Sequence, residues 1–198
     1  MKKLILASGS PRRKEILNNL GLDFEVQVSD VDESIIKADK LAVGVYVQEL
    51  ALLKALGCQK SCKQNTLIIS ADTVVYSGGK ILGKPKDTDD AFNMLKALSG
   101  RSHSVFTGIC VMRTKDAYSC CAAVETKVFF KELSDKQINS YIKSGESMDK
   151  AGAYGIQGLG SLLVERIEGD YFNVVGLPAS RLSEILEKEF DFDVLKGE

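Results

Sequence analysis

The chain is predicted to be an α/β protein, and three observations carry the prediction. Short apolar, β-rich runs alternate with segments of helical period. A Gly-Gly pair and a run of Ser, Gly and Pro stand at the joints between them. No repeat, low-complexity segment or long linker interrupts the 198 residues, so residues 1–198 are read as one domain with room for two lobes.

In order, Lys3 to Ala7 reads as a short strand and Pro11 to Leu20 as a helix with Ile16, Leu17 and Leu20 on one face. Ser10 is a suitable N-cap, and Pro11 fits the first helical position. Phe24 to Val28 reads as a strand and the acidic stretch Ser29 to Lys40 as a loop. Tyr46 to Cys62 has helical period, with Val47, Leu50, Ala51 and Cys58 on one stripe. Thr66 to Tyr76 is strongly β in character, and Gly78-Gly79 signals a hairpin into Lys80-Ile81-Leu82. Asp87 to Leu98 reads as a capped helix. Ser102 to Arg113 alternates, and Ala117 to Lys131 is its expected antiparallel partner. Ser134 opens a helix to about Lys143, a glycine-rich stretch follows, and Pro178 to Phe190 is the last helix. Ser161 to Ile167 and Tyr171 to Val175 are short apolar segments between them.

Composition excludes several functions. Lys plus Arg (26) nearly balances Asp plus Glu (27), so no global basic field suggests nucleic-acid or membrane binding. No stretch is apolar for long enough to span a bilayer. The apolar run after Met-Lys-Lys stops at Ser8, too early for a signal-peptide core, and a cytoplasmic protein is expected. Five cysteines, an odd number with no CxxC spacing, are expected to be reduced and packed as small apolar residues. The single histidine, His103, is far from them in sequence, so a zinc site is not expected.

Several residues sit where folding alone does not ask for them. Arg12 and Arg13 follow Ser8-Gly9-Ser10-Pro11 at the positive end of a helix dipole, where cations are disfavoured. Either they pair with nearby carboxylates, or they complete an anion site with free backbone N–H groups. Lys54 lies on the apolar stripe of its helix, either snorkelling outward or facing a polar site. Asp72 interrupts "LIISADTVV", where an unpaired core carboxylate is costly, so a cation or metal partner is expected. Thr73 is placed to hydrogen-bond beside it. Glu33, in an acidic loop with Asp30 and Asp32, is solvated or joins Asp72 as an oxygen ligand for magnesium. Lys84, between Gly83 and Pro85, is a plausible phosphate contact. Gln157, within the Gly152 to Gly160 loop, has an amide able to read a base by two hydrogen bonds.

Taken together, "LILASGSPRRKEIL", "DVDES", "ISADTVV", "LGKPKD", "SVFTGI", "SGESMDKAGAYGIQG" and "NVVGLP" resemble the Maf family of nucleoside triphosphate pyrophosphatases nearly end to end. The resemblance implies a mixed central sheet with flanking helices, bilobed around a cleft as in inosine triphosphate pyrophosphatases. It implies metal-dependent release of pyrophosphate from a nucleoside triphosphate, with Mg expected and Mn as the alternative. By position, Asp72 matches the family's proton acceptor and Glu33 a metal or catalytic carboxylate, with Glu33 and Asp72 as the metal pair. Arg13, Lys54 and Lys84 match phosphate-handling positions. Arg12, Thr73 and Gln157 match positions linked to substrate choice, and Ser8 and Ser10 complete the substrate-binding turn. "GAYGIQG" resembles the branch acting on dTTP and UTP. The alternatives are the sister branch acting on 7-methyl-GTP and a nucleotide-binding regulator of cell division with little catalysis. Ser147 stands where the family pattern has proline. A homodimer is a family-level expectation; no nucleic-acid or membrane partner is expected.

Overall fold

The computed structural model describes residues 3–62 and 65–197. By packing, the chain divides into two compact units. The first comprises Met1–Asp72, Thr107–Val124 and Gly176–Glu198, and the second Thr73–Phe106 and Glu125–Val175.

In the first unit, the buried run Leu4-Ile5-Leu6 forms the core strand β1 (Lys3–Leu6). It pairs in parallel with β2 (Phe24–Val26) on one side and with β3 (Thr66–Ser77) on the other. Parallel neighbours need crossover helices. These are α1 (Pro11–Asn19), which buries Ile16 and Leu17, and α2 (Val43–Gln59), which buries Val47, Leu50, Ala51, Ala55 and Cys58. Beyond β3 come β5 (Ser102–Arg113) and β6 (Ser119–Phe130). The Arg113 N–H donates to Tyr118 O and the Phe130 N–H to Arg101 O, so these strands form an antiparallel hairpin. The sheet is therefore mixed, with α2 covering a core of Ile5, Ala7, Ala51, Ala55, Cys58, Ile68, Cys110 and Met112. Gly108 is required here. A Cβ on it would lie 2.1 Å from Val47 O, so its bare backbone lets α2 seat against β5. The last helix, α6 (Ala179–Phe190), also belongs to this unit.

The second unit takes the remainder of β3, β5 and β6. There β4 (Lys80–Leu82) pairs antiparallel with the end of β3, and β7 (Val164–Glu168) antiparallel with the end of β6. Gly78 and Gly79 both have positive φ, as a two-residue hairpin turn demands. Helix α3 (Thr88–Leu98) starts at Asp87, whose carboxylate accepts from Asp90 N, and α4 (Asp135–Lys143) starts in a Ser134–Gln137 capping box. Their apolar faces share a core with Val105, Val128, Phe130 and Tyr154.

The expected elements are present with shifted ends. Helix α2 begins three residues before Tyr46, and the Ser29 to Lys40 loop contains two single 3₁₀ turns, Glu33–Ile35 and Ala38–Lys40. The segment Tyr171–Val175 is a short helix, α5. Ser10 occupies the N-cap position, but its side chain makes no capping hydrogen bond.

Candidate functional site

Three of the anomalous side chains meet in the first unit. Ser70 and Asp72 point to the same side of β3, because strand side chains alternate. The Ser70 hydroxyl donates to Ala51 O of α2 at 2.6 Å, which fixes that side as the one facing α2. Lys54, three residues beyond Ala51, then reaches Asp72: its Nζ lies 2.6 Å from Asp72 Oδ1 and 3.1 Å from Glu33 Oε1. Glu33 arrives from the 3₁₀ turn, which is capped by Asp32 accepting from Ser34 N at 3.0 Å. The chain leading into that turn can approach α2 because residue 57 is glycine. A Cβ there would lie 2.3 Å from Val31 Cγ1. The Lys54 and Asp72 side chains are 15% and 14% exposed, whereas Glu33 is 50% exposed.

The turn into α1 supplies the second cluster. Arg13 donates from Nη1 to Ser8 Oγ at 2.9 Å and from Nε to Gly176 O at 2.7 Å. Ser8 Oγ also accepts from Ser10 N at 3.3 Å, so the tight turn and the guanidinium share one buried hydroxyl. Burial lowers the Arg13 pKa; Asp72 acts against that shift, Arg12 adds to it and Glu33 opposes it. Arg12, Arg13, Asp72 and Glu33 therefore share one electrostatic neighbourhood. The position of the arginines has a local explanation: Arg13 is held by a hydroxyl and a carbonyl, both neutral acceptors.

The other expected residues lie in the second unit. Thr73 follows Asp72 along β3. Lys84 is exposed beyond β4, and the carbonyl of the preceding Gly83 accepts from Gly152 N at 3.0 Å. That bond ties the Lys84 segment to the glycine-rich loop carrying Gln157. Gln157 is partly buried and precedes a 3₁₀ turn, Gly158–Leu162. In this loop Gly152 and Gly158 have positive φ, and a Cβ on Gly160 would lie 1.9 Å from Gly155 O. The loop is thus built by its glycines into one defined path. His103, buried in the second unit with Nε2 2.7 Å from Tyr154 Oη, is a core residue.

Two contributors were not singled out from sequence. Gly176, in "NVVGLP", supplies the carbonyl that holds Arg13. Tyr46 stands two turns before Lys54 on α2, and its phenol is raised in pKa by burial, then by the nearby Asp72 and Glu33 charges. Its spacing of eight residues from Lys54 was the available signal.

Two carboxylates converging on one ammonium form a place suited to a cation. Their oxygens are hard donors that match Mg²⁺ or Mn²⁺ rather than a soft metal. Among the described residues no group of three or more His, Cys, Asp and Glu side chains gathers to hold a metal. The donor set therefore fits a cation that takes its remaining ligands from water and a bound anion.

The chain is similar to known proteins along nearly its whole length. The family model described as Maf-like protein matches residues 3–189. A protein of Thermoanaerobacter sp. (strain X514) named dTTP/UTP pyrophosphatase is 53% identical over 193 residues, covering 98% of this chain and 100% of that protein. Proteins of the same name from Acetivibrio thermocellus and Clostridium novyi are 52% and 54% identical, over 99% and 92% of this chain and 99% and 95% of their own lengths. No helix among the described residues is long and apolar enough to cross a membrane.

Proposed function

The chain belongs to the Maf family, and from that premise we infer that it is a nucleoside triphosphate diphosphatase hydrolysing dTTP and UTP to the monophosphate and pyrophosphate. The observation that carries the mechanism is the convergence of Asp72 and Glu33 on Lys54 at 2.6 and 3.1 Å.

In this reading the triphosphate charge is met by Arg12, Arg13 and Lys54, with Lys84 as a further phosphate contact. Ser8 and Ser10 shape the turn from which the arginines project. Arg13 arrives already oriented by Ser8 and Gly176, so little ordering is needed when an anion binds. Lys54 turns part of its charge from the carboxylates to the phosphates. Asp72, relieved of that partner, orients the attacking water and accepts its proton as the water attacks the α-phosphorus in line. Glu33 and Asp72 would hold a divalent cation, Mg²⁺ with Mn²⁺ as substitute, whose chemistry is to neutralise charge on the phosphate oxygens. Most of the rate enhancement in such a site comes from positioning and fixed charge. Gln157 and Thr73 are assigned to substrate choice by their motifs, with the Gln157 amide offering one donor and one acceptor edge to a pyrimidine.

The test is a phosphate-release assay coupled to inorganic pyrophosphatase, run with Mg²⁺ over standard and modified nucleoside triphosphates. dTTP and UTP should be the fastest substrates. No release from any triphosphate would sink the enzyme reading, and 7-methyl-GTP as the fastest would place the chain in the sister branch. Gln157→Glu should erase the pyrimidine preference, and an unchanged preference would rule out base reading by Gln157.

A further inference from the structure

The thiols of the first unit take no part in the chemistry above, and one pair of them is built for bond formation. Arg113 N–H donates to Tyr118 O at one end of the β5–β6 hairpin and Phe130 N–H to Arg101 O at the other. Both bonds give the same register, and that register sets Cys110 directly opposite Cys121. The ladder alternates between hydrogen-bonded and non-hydrogen-bonded pairs, and Arg113–Tyr118 is of the first kind. Counting back three positions makes Cys110–Cys121 of the second kind, where Cα atoms stand about 4.5 Å apart and side chains are closest. That spacing lies within the roughly 4.4–6.8 Å a disulfide spans.

The pair is also asymmetric in access and in charge. Cys110 is fully buried against Ala51, Ala55 and Cys58, whereas Cys121 is partly exposed. The hydrogen bond between them lowers the Cys121 pKa and, with burial, raises that of Cys110. An accessible thiol of the more acidic kind beside a buried one is the arrangement that supplies an attacking and a resolving thiol.

We propose that Cys110 and Cys121 form a redox-modification site, converted to a cross-strand disulfide by exchange with a low-molecular-weight disulfide such as oxidised glutathione. The Cys121 thiolate attacks one sulfur of the small disulfide, forming a mixed disulfide and expelling one thiolate. Cys110 attacks Cys121 Sγ and expels the second small thiolate, which takes up the Cys110 proton as it leaves. Two protein thiols are oxidised, and one small disulfide is reduced to two small thiols.

The competing pair is Cys58–Cys62, with Sγ atoms 3.6 Å apart. These residues are four apart at the end of α2, where Cys62 N–H bonds to Gln59 O. Cys62 lies past the end of α2, beyond the turn after Gln59, and its thiol is already engaged by Gln27 Oε1 at 3.7 Å. Their approach is a hydrogen-bonded contact that closes the helix, with Cys62 Sγ also donating to Cys58 O at 3.1 Å.

The experiment treats the reduced full chain with oxidised glutathione, blocks remaining thiols with N-ethylmaleimide, and maps peptides by mass spectrometry without reduction. A Cys110–Cys121 cross-link is expected in the wild type and in a Cys58→Ser/Cys62→Ser double variant. Cys110→Ser should stop at one glutathione adduct on Cys121, and Cys121→Ser should form no cross-link at Cys110. A cross-link joining Cys58 to Cys62 alone, adducts on Cys62 or Cys120 without a Cys110–Cys121 bond, or five unmodified thiols would each overturn the proposal. Circular dichroism of each variant before oxidation checks that the result is read from folded protein.

Discussion

Lys54 Nζ and Asp72 Oδ1 lie 2.6 Å apart, each side chain about one-seventh exposed. A contact this close between a helix stripe and a core strand accounts for both anomalies at once. The carboxylate needs a cation partner, and the lysine needs a reason not to reach solvent. Asp72→Asn keeps an oxygen for Lys54 to donate to but cannot accept a proton. Turnover of dTTP should fall by about 10²–10⁴, the usual contribution of a positioned base, while thermal unfolding stays close to wild type. Near-wild-type turnover would remove Asp72 from the mechanism.

Arg13 gives a separate prediction, because it uses two donors of its fork on two acceptors, Ser8 Oγ and Gly176 O. A lysine carries the charge but cannot reproduce that planar pair of bonds. Arg13→Lys should leave the Gly176 carbonyl short of a partner, at a cost of about 1–3 kcal/mol, and should loosen the turn that orients the cations. The urea midpoint should fall, and KM for dTTP should rise more than kcat falls. An unchanged KM would show that the fork serves folding alone.

Much of this was legible in the sequence because strand and helix periods place residues on faces. Lys54 on an apolar stripe and Asp72 in a β-run were visible as misfits, and the structure joins them. Arg13 was legible as an anomaly but not in its solution, since its acceptor Gly176 is remote in sequence and acts through a backbone carbonyl that any residue possesses. The end of the loop before α2 was misjudged for a similar reason. Helix α2 takes in Val43 to Val45 ahead of Tyr46, and its Val47–Gln48 backbone seats against Gly108 of β5, a tertiary contact that local propensity does not carry. Ser10 looked like a side-chain cap, yet in this turn it is its backbone N–H that bonds, to Ser8 Oγ.

His103 makes stability depend on pH. Burial holds its pKa down from 6.5 to about 4, with Nε2 against Tyr154 Oη and the ring edge-on to Phe130. The folded state resists a proton that the unfolded chain accepts. The associated stability is present above about pH 6.5 and is lost as pH falls towards about 4, in total about 3 kcal/mol. His103→Gln removes the titration. Its urea midpoint should therefore fall less than that of the wild type between neutral and mildly acidic pH. Parallel pH profiles would show that His103 is not the group responsible.

Ser147 is fully buried, and among the described residues its hydroxyl has no hydrogen-bond partner. It stands in "SGESMDK", where the motif's resemblance leads to an expectation of proline. A desolvated hydroxyl with no partner costs about 1–3 kcal/mol, and alanine removes it with little loss of volume. Ser147→Ala should raise the unfolding free energy by about 1 kcal/mol, measured as a higher urea midpoint at unchanged slope. A lower midpoint would mean that the hydroxyl is satisfied in solution.

Two glycines in the contact of α2 with the β5–β6 hairpin predict opposite outcomes for the same substitution. A Cβ on Gly108 of β5 would lie 2.1 Å from Val47 O and 2.7 Å from Gln48 N, backbone atoms that can move only if α2 moves. A Cβ on Gly44 of α2 would lie 3.6 Å from Ala123 Cβ, an ordinary contact. Gly108→Ala should therefore destabilise by about 1–3 kcal/mol through overpacking. It should also lower kcat, because the displaced helix carries Lys54 away from Asp72. Gly44→Ala should be neutral or stabilising by up to about 1 kcal/mol, since alanine loses less backbone freedom than glycine in a helix, and should leave kcat unchanged. Equal effects of the two substitutions on stability and turnover would show that the seating of α2 on β5 does not position the site.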